Sequence, residues 1–229
     1  NNVFIDHEPI EPALESHILR MLNKDGTPKD IQNWVSFLNF VDNLYSNQSA
    51  FVREQLFGWI QFENMNDAGV GLTLTPDGCI VGYKGCGGTV EEPVSINTGS
   101  AIVDGVDMTG NIPNIVGSVI EMPRSQVQDN PAIGCSTGLH VGTYNYASGW
   151  AHGVLLTVKV NPRDVVSVPT ECDAQKMRVC RYEVLESVEG PLNDLSWGED
   201  FNYTDYDYEY EDEYYDEDEE NDSEYDDYE

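Results

Sequence analysis

Apolar and polar positions change their spacing twice along this chain. Between residues 10 and 64 the apolar residues recur at helical intervals, and from residue 69 to 189 they alternate or run together as in strands. Beyond Gly190-Pro191 the pattern ends. The first ten residues read as an extended lead-in, with Val3, Phe4 and Ile5 as an edge strand. Pro9 and Pro12 open a first helix, Leu14, Ile18, Leu19 and Leu22 form its stripe, and Asp25-Gly26 ends it. A second helix comes after Thr27-Pro28, with Ile31, Trp34, Val35, Leu38, Val41 and Leu44 as its apolar face. Ser49 caps a third, which carries Val52, Leu56, Trp59 and Ile60 on one side. Alone, these helices would hide one face each, so they are predicted to pack on the strands C-terminal to them.

Strand spacing begins at Gly69. Val70, Leu72 and Leu74 alternate with Gly71, Thr73 and Thr75, Pro76-Asp77-Gly78 turns the chain, and Cys79 to Lys84 returns. Gly85 to Asn114 is rich in Gly, Thr, Ser and Asn and reads as a long loop or a pair of weak strands. Ile115 to Met122 is predicted as a strand, Tyr144 to Trp150 as a short helix, and Val154 to Val160 as a strand at the sheet centre. Asn161 to Asp164 turns into Val165 to Val168, and Met177 to Val184 is the last core strand. The segment from Gly134 to Glu183 holds most of the turn chemistry and the long apolar runs, so it is expected to carry the centre of the fold. Within it Leu139 and Val141 share one face and His140 takes the other. The predicted fold is α+β. A helical subdomain (1–68) packs on a mainly antiparallel β-sheet (69–190), followed by a disordered acidic tail (191–229).

Composition changes this picture at the C-terminal end. The net charge is −31, yet 18 of the 42 acidic groups fall between Glu199 and Glu229, leaving 24 against 11 Lys and Arg in the body, a net of −13. The tail also holds eight tyrosines. Too few apolar groups remain there to offset the entropy of ordering it. It reads either as a loosely interacting polyanion or as a nucleic-acid mimic that blocks a basic host protein. No apolar run approaches the ~20 residues that span a bilayer, and no signal peptide is visible. The chain starts Asn1-Asn2 without methionine, which suggests a fragment or a processed product. Five cysteines (Cys79, Cys86, Cys135, Cys172 and Cys180) with no CxxC pair fit a reduced, cytoplasmic setting.

Three groups of residues are candidates for chemistry. Cys135 and His140 could form a thiolate–imidazole pair, but five residues of strand would hold them about 17 Å apart, so a bend is required. Cys79, Cys86, Cys135 and His140 lack the close pairing of a structural zinc site, so no metal is expected. Lys159, Arg163, Lys176, Arg178 and Arg181 form the one dense basic cluster, read as a binding patch or as solvated strand faces. With so acidic a tail beside it, direct nucleic-acid binding is not expected. The tail could instead dock on this cluster until a partner displaces it.

Several ordered stretches together resemble one family. LTLTPDGCIVGYKG, VGSVIEMPRSQV, CSTGLHVGTYNYASGW and VKVNPRDVVSVPTECDAQKMRVCRYEVLE are similar to the bacteriophage rIIB family, and the helices from His17 to Ile60 resemble the part that precedes them there. The resemblance covers roughly residues 10 to 187. It implies a phage accessory protein concerned with lysis inhibition or escape from host exclusion. It further implies action by protein–protein interaction with an rIIA-like or host partner, in the host cytoplasm or peripheral to the inner membrane. It implies no catalytic residue and no cofactor.

A different class is also legible. Gly82-Tyr83-Lys84-Gly85 and Gly138-Leu139-His140-Val141 resemble NAD-contacting motifs of ADP-ribosyltransferase-like enzymes, and Glu183 lies on a late strand where a catalytic glutamate could sit. On that alternative Tyr83, His140 and Glu183 would surround NAD, the carboxylate stabilising a ribosyl cation. Lys84 departs from the His or Arg usual at its position.

Overall fold

In the computed structural model of the chain, the described residues are 21–56, 73–170 and 175–188, with residues 4, 5, 8, 9, 15, 18 and 19 ahead of them. The predictions for Leu14, Trp59, Ile60, Val70, Leu72, Cys172 and the acidic tail fall outside this set.

Near the start, β1 (Phe4–Ile5) and β2 (Glu8–Pro9) form a small antiparallel ribbon. Helix α1 (Ile31–Tyr45) begins at Asp30, whose carboxylate accepts from the Asn33 amide at 2.8 Å. Helix α2 (50–56) begins at Ser49, whose hydroxyl accepts from the Val52 amide at 3.2 Å. The Ser49 cap is the expected one, whereas α1 starts after the Thr27-Pro28 pair with Asp30 as its cap, and the face it buries differs from the predicted stripe. Phe37, Phe40, Val41 and Leu44 are buried, whereas Ile31, Val35 and Leu38 are exposed. At 100° per residue the two stripes lie about 140° apart, so only one can meet the sheet. The bulkier phenylalanine stripe takes that place.

Polar anchors fix this choice. On the sheet side of α1, the Asn39 and Asn43 side-chain amides donate to the carbonyls of Pro76 and Asp77 in the turn below. Buried Asn47 donates to Pro162 and Val165, both at 2.9 Å. The turn they grip, residues 75–78, leads into β3 (Ile80–Gly88).

The sheet continues with β4 (Pro93–Val103), β5 (Val106–Pro113), β6 (Val119–Glu121), β7 (Leu139–Gly142), β8 (Val154–Val160), β9 (Val165–Ser167), β10 (Lys176–Val179) and β11 (Arg181–Ser187). All its pairings are antiparallel, in the order β5-β4-β6-β11-β8-β3-β7-β10-β9. A further β4–β3 pairing at Gly87–Val94 closes β4, β6, β11, β8 and β3 into a ring of strands. As predicted, β8 lies inside the sheet, with β3 on one side and β11 on the other. Helix α3 (Tyr144–Trp150) covers its outer face, where Tyr83, Ala147 and Leu155 pack together. The inner face joins Leu156, Val158 and Val160 to Phe37, Phe40 and Leu44 of α1 in a single core.

Three segments depart from the periodicity. Gly85–Asn114, legible as a loop or weak strands, is the long β4–β5 hairpin; Asp104 and Gly105 turn it with φ of 50° and 82°. Ile115–Met122 keeps strand geometry only over Val119–Glu121. The Ser118 amide bonds back to the Ile115 carbonyl across Gly117, whose φ of 88° makes a turn there. Met177–Val184 is two strands, broken at Cys180. The Cys180 amide donates to the Asp164 carbonyl at 3.0 Å and its own carbonyl accepts from Met122 at 2.9 Å, so the chain passes from one set of neighbours to another.

Candidate functional site

The β7–β10 ribbon sorts its side chains by alternation. Leu139 and Val141, with Met177 and Val179, belong to the core, while His140 stands opposite Arg178 and Gly142 opposite Lys176 on the other face. The loop 130–137 provides backbone carbonyls for that face. Lys176 donates to Gly134 at 2.8 Å, and Arg178 donates to Asn130 and Ile133 and to the Ser167 hydroxyl. Both side chains are essentially fully buried. Gly142 is held small by contact, because a β-carbon there would lie 2.7 Å from the Tyr146 ring. That ring in turn sits 5.5 Å from the Lys176 ammonium.

β3 meets β7 at one position, Tyr83 opposite Gly142. Next along β3, Lys84 is on the inner face, where its ammonium donates to the His140 carbonyl at 3.3 Å and lies 5.5 Å from the Tyr182 ring centre. The Tyr182 hydroxyl donates to the Asn114 side-chain oxygen, and both residues are buried. Burial pushes the Lys84 pKa down and that of Tyr182 well up.

These groups line a cavity of about 520 Å3, together with residues from β4 and the 135–138 segment. Lys84, Lys176 and His140 all line it, and no Asp or Glu is among its described lining residues. Neither lysine forms an ion pair among the described residues. One side of the His140 ring bonds to the Ser136 backbone, while Nε2 is buried with no hydrogen-bond partner. Burial and then the charges of Lys84, Lys176 and Arg178 lower the His140 pKa to about 4, so the imidazole is neutral near pH 7.

The residues singled out from the sequence are distributed unevenly around this cavity. Tyr83, His140 and Cys135 line it. Cys135 is exposed, and no hydrogen bond joins it to His140. Glu183 is elsewhere, opposite Lys159 in β8 and beside Asp77 and Cys79 in a separate, smaller pocket. The Tyr83–His140–Glu183 arrangement is therefore not assembled. The described lining offers no carboxylate to stabilise a ribosyl cation.

The basic cluster is also divided. Lys159 pairs with Asp77 at 2.7 Å, Arg181 with Glu121 at 3.2 Å, and Arg163 lies 3.7 Å from Asp164. Lys176 and Arg178, buried, belong to the cavity wall, so the five do not form one solvated face. Among the described residues no three His, Cys, Asp or Glu side chains converge to hold a metal ion. Nor is any described helix long and apolar enough to cross a membrane. Sequence reasoning missed Asn114 and Tyr182 as cavity residues. Lys84 did carry a signal, since it shares the parity of the core residues Ile80 and Cys86 along β3.

The chain matches the family model described as bacteriophage T4 protein rIIB over residues 14–195. It is 30% identical to protein rIIB of Enterobacteria phage T4 over 189 residues, which is 82% of this chain and 52% of that protein. The chain thus spans about half the length of the curated relative it matches. No solved structure matches it. With the family match covering most of the strands and helices described above, the chain belongs to the bacteriophage T4 rIIB family.

Proposed function

We propose that this chain acts as a phage accessory protein by binding another protein, an rIIA-like phage product or a host protein, in lysis inhibition or escape from host exclusion. The observation that carries this reading is the second apolar stripe of α1. Ile31 is 72% exposed, Val35 48%, Leu38 41% and Tyr45 47%, all on the side turned away from the core. An apolar row on a helix that already has a buried face, with exposed Asp42 between Leu38 and Tyr45, suits an interface. Gln32 and Asn39 of the same helix border the row on one side, as a polar edge.

The test is co-purification of the full chain with the rIIA-like protein of its own phage, with Ile31, Val35 and Leu38 each changed to Ser. The reading expects the triple variant to keep the wild-type unfolding temperature and lose the partner. Retained co-purification with an unchanged melt would refute it.

A further inference from the structure

We propose that the cavity between β3 and β7 is a binding site for a phosphomonoester of about mononucleotide size. This site is independent of the α1 stripe, so either proposal can fail without the other.

Three observations converge on an anion. First, two lysine ammonium groups reach the cavity from different strands, Lys84 from β3 and Lys176 from β10, and neither has a carboxylate partner among the described residues. Burying a cation without a counter-charge is costly, and an anion bound in the cavity would offset that cost. Second, the His140 Nε2 is buried in the same wall with no partner, and as the acceptor nitrogen of a neutral ring it suits the P–OH of a singly protonated phosphate. Third, the remaining polar lining consists of hydroxyls and amides such as Thr98, Thr137 and Asn97, which can donate to oxygens without adding negative charge.

Size and shape narrow the class. A volume of about 520 Å3 falls within the range of small-molecule sites and far exceeds what a free phosphate fills. Tyr146 and Trp150 line the same cavity and supply an aromatic wall for a planar group. Two lysine ammonium groups together with an acceptor nitrogen for one P–OH match a phosphomonoester better than a single carboxylate. The ligand inferred is therefore an anionic phosphate carried on a planar or ring-containing body.

The experiment is calorimetric titration of the full-length chain with AMP, inorganic phosphate and adenosine, repeated with Lys84→Met and Lys176→Met. Methionine keeps much of the length of the side chain without the charge, and the unfolding curve of each variant reports whether it folds. The expected order is AMP over phosphate over adenosine, with each folded variant binding AMP at least tenfold more weakly. AMP and phosphate binding alike would remove the organic body from the proposal and overturn it. Failure of AMP to bind the wild type at millimolar concentration would overturn it too. So would unchanged AMP affinity in folded Lys84→Met. If neither variant folds, Cys135→Trp at the exposed rim serves instead: weaker AMP binding supports the site and unchanged binding overturns it.

Discussion

The ammonium of Lys84 lies 3.3 Å from the backbone carbonyl of His140, inside a protein whose net charge is −31. Negative charge dominates the chain as a whole, yet the described wall around these two residues carries only positive and neutral groups. Local charge at this site is thus opposite in sign to the global balance, and its consequences can be measured.

The imidazole of His140 should make the fold acid-sensitive. The charged groups facing it are Lys84 from β3 and Lys176 and Arg178 from β10. Its folded pKa of about 4 lies below the ordinary value of 6.5, so between these values the unfolded chain binds more protons than the folded one. The stabilisation is complete above 6.5 and is lost as pH falls toward 4. Over that window the loss amounts to about 3 kcal/mol from this residue. Denaturant unfolding of wild type and His140→Gln at pH 7 and pH 4.5 should show the variant losing less stability on acidification.

Tyr182→Phe should lower stability by about 1–3 kcal/mol, because it leaves the buried Asn114 oxygen without its donor. Asn114 retains a bond from its own amide to the Ile112 carbonyl, at 2.8 Å. Changing both residues together, Tyr182→Phe with Asn114→Leu, should cost less than the sum of the single changes. Urea unfolding of the double-mutant cycle measures this coupling.

Asn47→Ala should loosen the attachment of the helices to the sheet. The Asn47 amide donates to Pro162 and Val165, and its oxygen accepts from the Ser49 amide at 3.1 Å. The Pro162 carbonyl would keep the Val165 amide and the Val165 carbonyl the Arg124 guanidinium, so each loses one of two donors, at a cost of about 1–2 kcal/mol. Amide hydrogen exchange should be faster through α2 as well as in that connection.

Much of this architecture is legible from residue spacing, and the exceptions have physical causes. The Val154–Val160 run, the Thr143-capped α3 and the Pro76-Asp77-Gly78 turn depend on local chemistry, and each is found where the sequence puts it. The β4–β5 hairpin had a local signal too, the Asp104-Gly105 pair, masked by the polar residues around it. The break at Cys180 had none, because the groups that cause it come from Met122 and Asp164. Lys176 and Arg178 look like surface residues in sequence; carbonyls more than forty residues away allow them to be buried. The opposite sides taken by Tyr182 and Glu183 come from strand alternation, but which side meets the cavity depends on the neighbouring strands. On α1, the predicted stripe included Val41 and Leu44 but left out Phe37 and Phe40, the side chains that are most deeply buried there.

The proposal that α1 presents its outer stripe to a protein partner is tested most directly by site-specific photo-crosslinking. A photoreactive side chain replaces Val35 on the stripe in one full-length variant and exposed His152 beyond α3 in another. Illumination in the presence of the rIIA-like protein should give a covalent adduct from position 35 and none from position 152. An adduct from 152 with none from 35 would contradict the account.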